Sequence, residues 1–277
     1  MRRLALWPLP ATWMTALPAG AQGAPASVPG PIQDNSFLLE EAYNQEARVV
    51  QHISSFLRSE GGDWAYTFTQ EWPVKGQRHQ LSYSVPYLAV DARAGRAAGF
   101  GDVALNYRLQ AVGSGESRLA VAPRLSVLLP TGNGTEGRGS RGTGVQFNLP
   151  LSLALSDRLM THVNAGATFT PAARNAAGDE ASTTAVALGQ SVIWLARPRL
   201  NVMLELVYAR YERILAPDTT EAADSLVLSP GLRWAYNFRS GLQIVPGLAV
   251  PIGIGPSSGE TGLFVYLSFE HPFGRRR

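Results

Sequence analysis

Few residues in this chain have the types and spacing that chemistry needs. His52-Ile53-Ser54 sets an imidazole and a hydroxyl two residues apart, which on a strand means the same face. A hydrolase could use that pair if a third group oriented the ring, but the sequence assigns no Asn beside it, and Ser-rich strands produce such pairs by chance. His162-Val163-Asn164 is a weaker version of the same idea. Gly132-Asn133-Gly134-Thr135-Glu136-Gly137 matches a dinucleotide fingerprint only formally. That fingerprint needs a strand before it and a helix after; here a second strand follows, so a flexible loop is the reading. The four His are scattered and no carboxylate cluster has calcium-loop spacing. Cysteine is absent, which excludes disulfides, thiol catalysis and Cys-based zinc sites. The expectation is no catalytic residue, no metal and no cofactor.

What chemistry the chain offers is concentrated on one strand face. Glu71, Asp102, Asn106, Arg108, Arg124, Gln146, Asn148, His162, Asn164, Asn201, Glu205, Arg233 and Asn237 share it. Two readings stand. The groups pair and hold an interior together, as buried charges must, or they form a constriction that sorts solutes by charge. Glu71, Asp102, Arg108, Arg124, His162, Glu205 and Arg233 are the constriction candidates. Both signs occur on adjacent strands, so no strong anion or cation preference is expected.

The elements that must position these residues are strands. Twelve stretches alternate apolar with small or polar side chains: 48–57, 62–74, 79–90, 100–112, 117–130, 143–156, 158–170, 184–196, 199–211, 225–237, 240–252 and 262–270. A period of two assigns one residue set to each face. Soluble strands average about five or six residues, whereas about ten tilted residues cross a bilayer. The reading is all-β: a single closed antiparallel transmembrane β-barrel of about twelve strands with a short N-terminal helix or extension. Connections support it, since short turns (75–78, 113–116, 157, 197–198, 238–239) alternate with longer links (91–99, 131–142, 171–183, 212–224, 253–261). Aromatics fall toward the two rims: Trp64, Tyr87, Phe169 and Tyr208 at one, Trp72, Tyr107, Trp194, Trp234, Tyr236 and Phe269 at the other.

Composition agrees. Charged residues make up 16% of the 277, against about 25% in soluble domains, and Lys75 is the only lysine. The net charge of +3 drops to +1 without Arg2 and Arg3, so nucleic acid is not an expected partner. Arg2-Arg3, the apolar run from Leu4 to Ala16, and Ala19-Gly20-Ala21 read as a secretory signal over 1–21. An extension over 22–47 follows, then a barrel over 48–273 and a basic tail over 274–277. Asp34 to Glu46 is the one helix candidate, with Asp34, Asn35 or Ser36 available as caps. It is either a periplasmic tether or a lid or partial plug, for which Phe37, Leu38, Glu40, Glu41 and Tyr43 are the candidates. Pro86, Pro123, Pro150, Pro230 and Pro246 sit inside strands. They imply bulges, or else a local gap through which an apolar solute leaves sideways.

Several segments together carry a family likeness: Pro31 to Phe37, Glu40 to Glu46, Phe68-Thr69-Gln70-Glu71-Trp72-Pro73, Gly99-Phe100-Gly101-Asp102-Val103, Ala122-Pro123-Arg124-Leu125-Ser126 and Leu129-Pro130-Thr131-Gly132. The chain resembles the outer-membrane proteins grouped under the meta-pathway of phenol degradation, from about Pro31 to the last strand. The resemblance implies a Gram-negative outer-membrane barrel linked to uptake of aromatic compounds; it carries no residue roles. The leading expectation is a passive channel for small, aromatic or apolar solutes. Membrane lipid and lipopolysaccharide would surround it and the barrel-assembly machinery would insert it. A structural or adhesive barrel with a closed lumen is the alternative. A lipid hydrolase comes third, because an outer-membrane phospholipase uses a similar His-x-Ser pair with an orienting Asn.

Overall fold

The computed structural model describes residues 33–92, 95–238 and 242–272; the expected signal, the stretch from 22 to 32 and the basic tail lie outside them. Twelve antiparallel strands close on themselves. They are β1 (Val49–Ser59), β2 (Trp64–Val74), β3 (His79–Ala92), β4 (Gly95–Phe100 and Val103–Leu109), β5 (Leu119–Val121 and Arg124–Leu129) and β6 (Gly144–Ser156). Then come β7 (Leu159–Arg174), β8 (Glu180–Arg197), β9 (Leu200–Ala216), β10 (Thr219–Trp234 and Tyr236–Asn237), β11 (Gln243–Ala249 and Ile252–Gly253) and β12 (Gly262–Pro272). β12 pairs with β1 from Val49↔Pro272 to Ser59↔Gly262, which shuts the cylinder and leaves no edge strand.

The alternation resolves into an inside-out protein. On β6, Gln146 and Asn148 are 0% and 1% exposed, while Val145, Phe147 and Leu149 between them are 46%, 47% and 40% exposed. The same inversion runs round the barrel: Leu188, Trp194, Leu204, Leu206 and Phe269 face outward, and Ser191, Asn201 and Glu205 face inward. Water would not tolerate so continuous an apolar belt, but lipid hydrocarbon would. At one rim Phe56, Trp64, Tyr87 and Phe100 pack in a chain of ring contacts, with centroids 5.2 to 5.9 Å apart.

Three expectations need correction. The links over 91–99, 171–183 and 212–224 are mostly not loops, because β3 and β4 pair up to Ala92 and Gly95, β7 and β8 up to Arg174 and Glu180, and β9 and β10 up to Ala216 and Thr219. These hairpins continue past the point where the apolar alternation ends. Beyond lipid the outward face no longer needs to be apolar, although the backbone ladder still pairs. The Gly-rich link is ordered rather than flexible: Gly134–Glu136 form a 3₁₀ turn capped by Asn133, and the link is tied to the Asp102 carboxylate. The in-strand prolines do not open the wall. Pairing runs past Pro150, Pro230 and Pro246 without a shift in register. Beside Pro86 and Pro123, β4 takes up an extra residue, and Gly101 and Leu109 still donate to the two proline carbonyls at 2.9 and 3.0 Å. The expected bulges are thus found beside Pro86 and Pro123 only.

Candidate functional site

The lumen is occupied by the chain itself. Asp34 to Gln45 are all buried, yet this segment forms no helix; the helix expected there is absent. A short helix in water is marginal, and the wall supplies what a helix would have supplied. Glu205 accepts from the Phe37 and Leu38 N–H groups (3.1 and 2.8 Å), Asn164 from Glu40 N–H (2.9 Å) and Ser152 from Ala42 N–H (2.8 Å). Gln110 and Gln80 accept from the N–H groups of Asn44 (2.8 Å) and Gln45 (2.6 Å). Six of the segment's amides thus find partners, as buried amides must, in five side chains spread around the barrel.

Two polar nodes fix the segment's middle. Arg124 of β5 grips the Glu40 carboxylate through Nε (2.8 Å) and Nη2 (2.6 Å). Its remaining donors reach Asn106 (2.9 Å), Gln146 (2.8 Å) and Ser126. Asn164 completes this node by donating to the Glu40 carbonyl (2.7 Å) while accepting its N–H. One residue thus has its amide, carbonyl and carboxylate all bound. In the second node Arg108 of β4 donates to the carbonyls of Glu41 (3.3 Å) and Tyr43 and to the Asn44 side chain (2.8 Å). Beside it Gln80 links the Gln45 N–H to Glu71 of β2 (2.9 Å).

Toward the segment's start the wall becomes apolar. Phe37 meets Phe264 and Tyr266 of β12 with ring centroids 5.2 and 5.4 Å away. Its ring tip lies where side chains at Gly231 and Gly247 would be: a Cβ on Gly247 would stand 2.5 Å from the ring, and one on Gly231 2.8 Å. A Cβ on Gly189 would stand 2.3 Å from Leu39. Three inward glycines therefore form notches that receive two large side chains. Burying Phe37 and Leu39 contributes about 1.5–3 kcal/mol each toward holding the segment in place.

The segment also braces itself. Tyr43 donates to the Asp34 carboxylate (2.8 Å), and Asn35 donates to Glu41. His162 of β7 lies between Ser152 (2.7 Å) and the Asp34 carbonyl (2.9 Å). Arg233 of β10 donates to the Asn35 carbonyl (2.7 Å) and lies over the Tyr266 ring. Burial pushes the Glu41 carboxyl well above its ordinary value, with attraction to Arg108 opposing the shift. Burial, with Asp34 beside it, likewise raises the Tyr43 phenol, which stays protonated and donating.

No family model matches the sequence, and none of the curated proteins does. Solved structures do. The COG4313 outer membrane channel from Pseudomonas putida F1 matches with a TM-score of 0.57 at 14% identity, over 81% of this chain and 94% of that one. KdgM porin, solved in complex with disordered oligogalacturonate, gives 0.51 at 11% identity over 81% and 99%. NanC porin gives 0.49 at 9% over 79% and 98%. The fold is that of a twelve-stranded outer-membrane β-barrel. At these identities the likeness speaks for architecture alone.

Of the seven constriction candidates, Glu71, Arg108, Arg124, His162, Glu205 and Arg233 are buried in the lumen and all but Glu71 contact the segment directly. Asp102 lies elsewhere: at the break in β4 it accepts from Gly132 N–H (2.9 Å) and from Ser140 N–H (2.7 Å) and hydroxyl (2.8 Å), tying down the 130–143 link. Phe37, Leu38, Glu40, Glu41 and Tyr43 are all buried inside the barrel. His52 and Ser54 fall on the outward face, where His52 stacks on Phe269 (4.8 Å) and Ser54 meets the Tyr66 hydroxyl (3.1 Å). Sequence reasoning missed the glutamines Gln80 and Gln110 and the notch glycines. A glycine at an inward position of a long strand was the available signal.

Proposed function

We propose that this protein is a passive outer-membrane channel for small solutes whose lumen is held shut by its own segment from Gln33 to Glu46, and which conducts when that segment withdraws. One observation carries the reading: the segment's amides are held by wall side chains rather than by a covalent or helical scaffold of its own. Such contacts exchange readily for water or solute, since each contributes only about 0.5–1.5 kcal/mol net. The resemblance to the phenol meta-pathway group favours aromatic compounds as cargo; the wall around Phe37 is apolar and that around Glu40 to Gln45 is polar. No catalytic step belongs to this reading. The outward belt would meet membrane lipid and, on the outer leaflet, lipopolysaccharide; insertion would fall to the barrel-assembly machinery, and the expected leader over 1–21 would direct export.

A second reading is a structural or adhesive barrel, favoured by the filled lumen and by hairpins that extend beyond the apolar belt. Planar-bilayer conductance separates the two. Full-length protein should show rare, brief openings, and removal of residues 22–47 should give a steadily open pore. Equal and negligible conductance from both forms would favour the structural barrel.

A further inference from the structure

The chemistry that holds Glu40 is more specific than plugging requires. A lumen could be filled by any side chains of the right volume, yet here a buried guanidinium meets a buried carboxylate through two nitrogens, at 2.6 and 2.8 Å. The guanidinium is itself oriented by Asn106, Ser126 and Gln146. Asn164 adds a reciprocal pair on the adjoining amide, at 2.9 and 2.7 Å. Both short contacts fall on Oε1, and Nε also reaches Oε2 at 3.1 Å; charge-assisted contact of this kind favours carboxylates over neutral groups. Withdrawing the segment would take the carboxylate from Arg124 while Asn106, Ser126 and Gln146 still hold its guanidinium in place, so a solute carboxylate would meet a pre-oriented cation. Arg108 stands directly opposite Arg124 in register, which adds positive potential at the same height.

We propose that Arg124, with Asn164, is a receptor for solutes carrying a carboxylate beside an amide, the class of N-acyl amino acids and short acidic peptides, and that Glu40 occupies it as a built-in competitor. Such a solute displaces Glu40 and so promotes opening of the channel that admits it. This rests on the reading of the segment as a removable plug.

The test uses full-length protein in planar bilayers, with N-acetyl-L-glutamate N′-methylamide, its α-carboxyl capped and its side-chain carboxylate free, as the probe and N-acetyl-L-glutamine N′-methylamide as its neutral isostere. The probe should raise the open probability of the wild type and the isostere should not. Glu40→Gln should open more often without solute and should respond to the probe at a concentration at least about tenfold lower, the factor expected for losing one charged competitor. Arg124→Gln should abolish discrimination between the two solutes, and Arg124→Lys, which keeps charge but not the fork, should reduce it. Each variant is scored only on material showing the heat-modifiable mobility of a folded barrel; if Arg124→Gln yields none, the wild-type contrast between the solutes decides. Equal responses to the two solutes, or discrimination that survives Arg124→Gln, would overturn the receptor. If Glu40→Gln and substitutions at the glycine notches all leave conductance unchanged, the plug itself is wrong, a separate failure.

Discussion

Arg108 and Arg124 face each other across β4 and β5 as a direct cross-strand pair, both pointing into the lumen and both buried. Like charges in that relation ordinarily repel. The N-terminal segment resolves the conflict by placing the Glu40 carboxylate on Arg124 and three acceptor oxygens around Arg108. The wall is therefore built to be complete only with the segment in place.

Arg108 gives the first prediction. Replacing it with Met keeps the bulk and removes every donor, leaving the Glu41 and Tyr43 carbonyls without their guanidinium partner. Bonds to a charged donor contribute about 1.5–3 kcal/mol, so docking should weaken by roughly that amount and the closed-to-open ratio should fall about 10- to 100-fold. Single-channel recording measures it, and an unchanged ratio would show that Arg108 merely fills space.

A second prediction concerns the notch at Gly247. Gly247→Leu would drive side-chain carbon into the Phe37 ring, at a cost of about 1–3 kcal/mol, and should expel the segment. Phe37→Ala alone should also loosen it, by lost burial. Combined, the two should be less harmful than their sum, because the enlarged wall residue enters the space that Phe37 leaves. Protease cleavage within residues 33–46, compared across the four proteins of the cycle, provides the readout; strict additivity would mean the two sites do not meet.

How far the sequence displayed this arrangement depends on what a period of two can encode. All twelve strands were legible, because Val145-Gln146-Phe147-Asn148-Leu149 and its counterparts state both faces at once. The hairpin ends near Arg174 and Ala216 were not, since outside lipid the ladder needs no apolar face and so leaves no pattern. The segment from Asp34 to Gln45 misled in a different way. Its caps and acidic first turn suit a helix, and the sequence cannot show that Glu205, Asn164, Ser152 and Gln80, far away in the chain, would take those amides instead. Asp102 misled by position: it has the right face but lies at the β4 break, where a loop needs a carboxylate.

The outward belt predicts an asymmetry between neighbours. Phe147→Arg places a charge against lipid and should destabilise the folded barrel by about 2–4 kcal/mol if it lies near the midplane. Val145 and Leu149 should behave alike, with smaller losses toward a rim. Urea titration of protein folded in vesicles measures this. Gln146→Leu, one residue away but facing inward, should change segment docking through Arg124 rather than insertion.

Protonation provides the last prediction. Glu41 is buried against Asn35, with Asp34, Arg108 and Arg233 as its charged surroundings, and its carboxyl is raised well above the ordinary value of 4.5. An acid whose docked form holds its proton more tightly than its free form stabilises docking fully when pH is below the free value. As pH climbs past about 4.5 the withdrawn segment ionises first, so docking weakens until the docked carboxyl also gives up its proton. Open probability should therefore increase from acid toward neutral pH. Glu41→Gln, which cannot ionise, should flatten this component and stay closed at neutral pH more often than the wild type. A pH profile of single-channel openings tests both statements, and a wild-type profile that falls with rising pH, or one that Glu41→Gln leaves unaltered, would assign the titration to other groups.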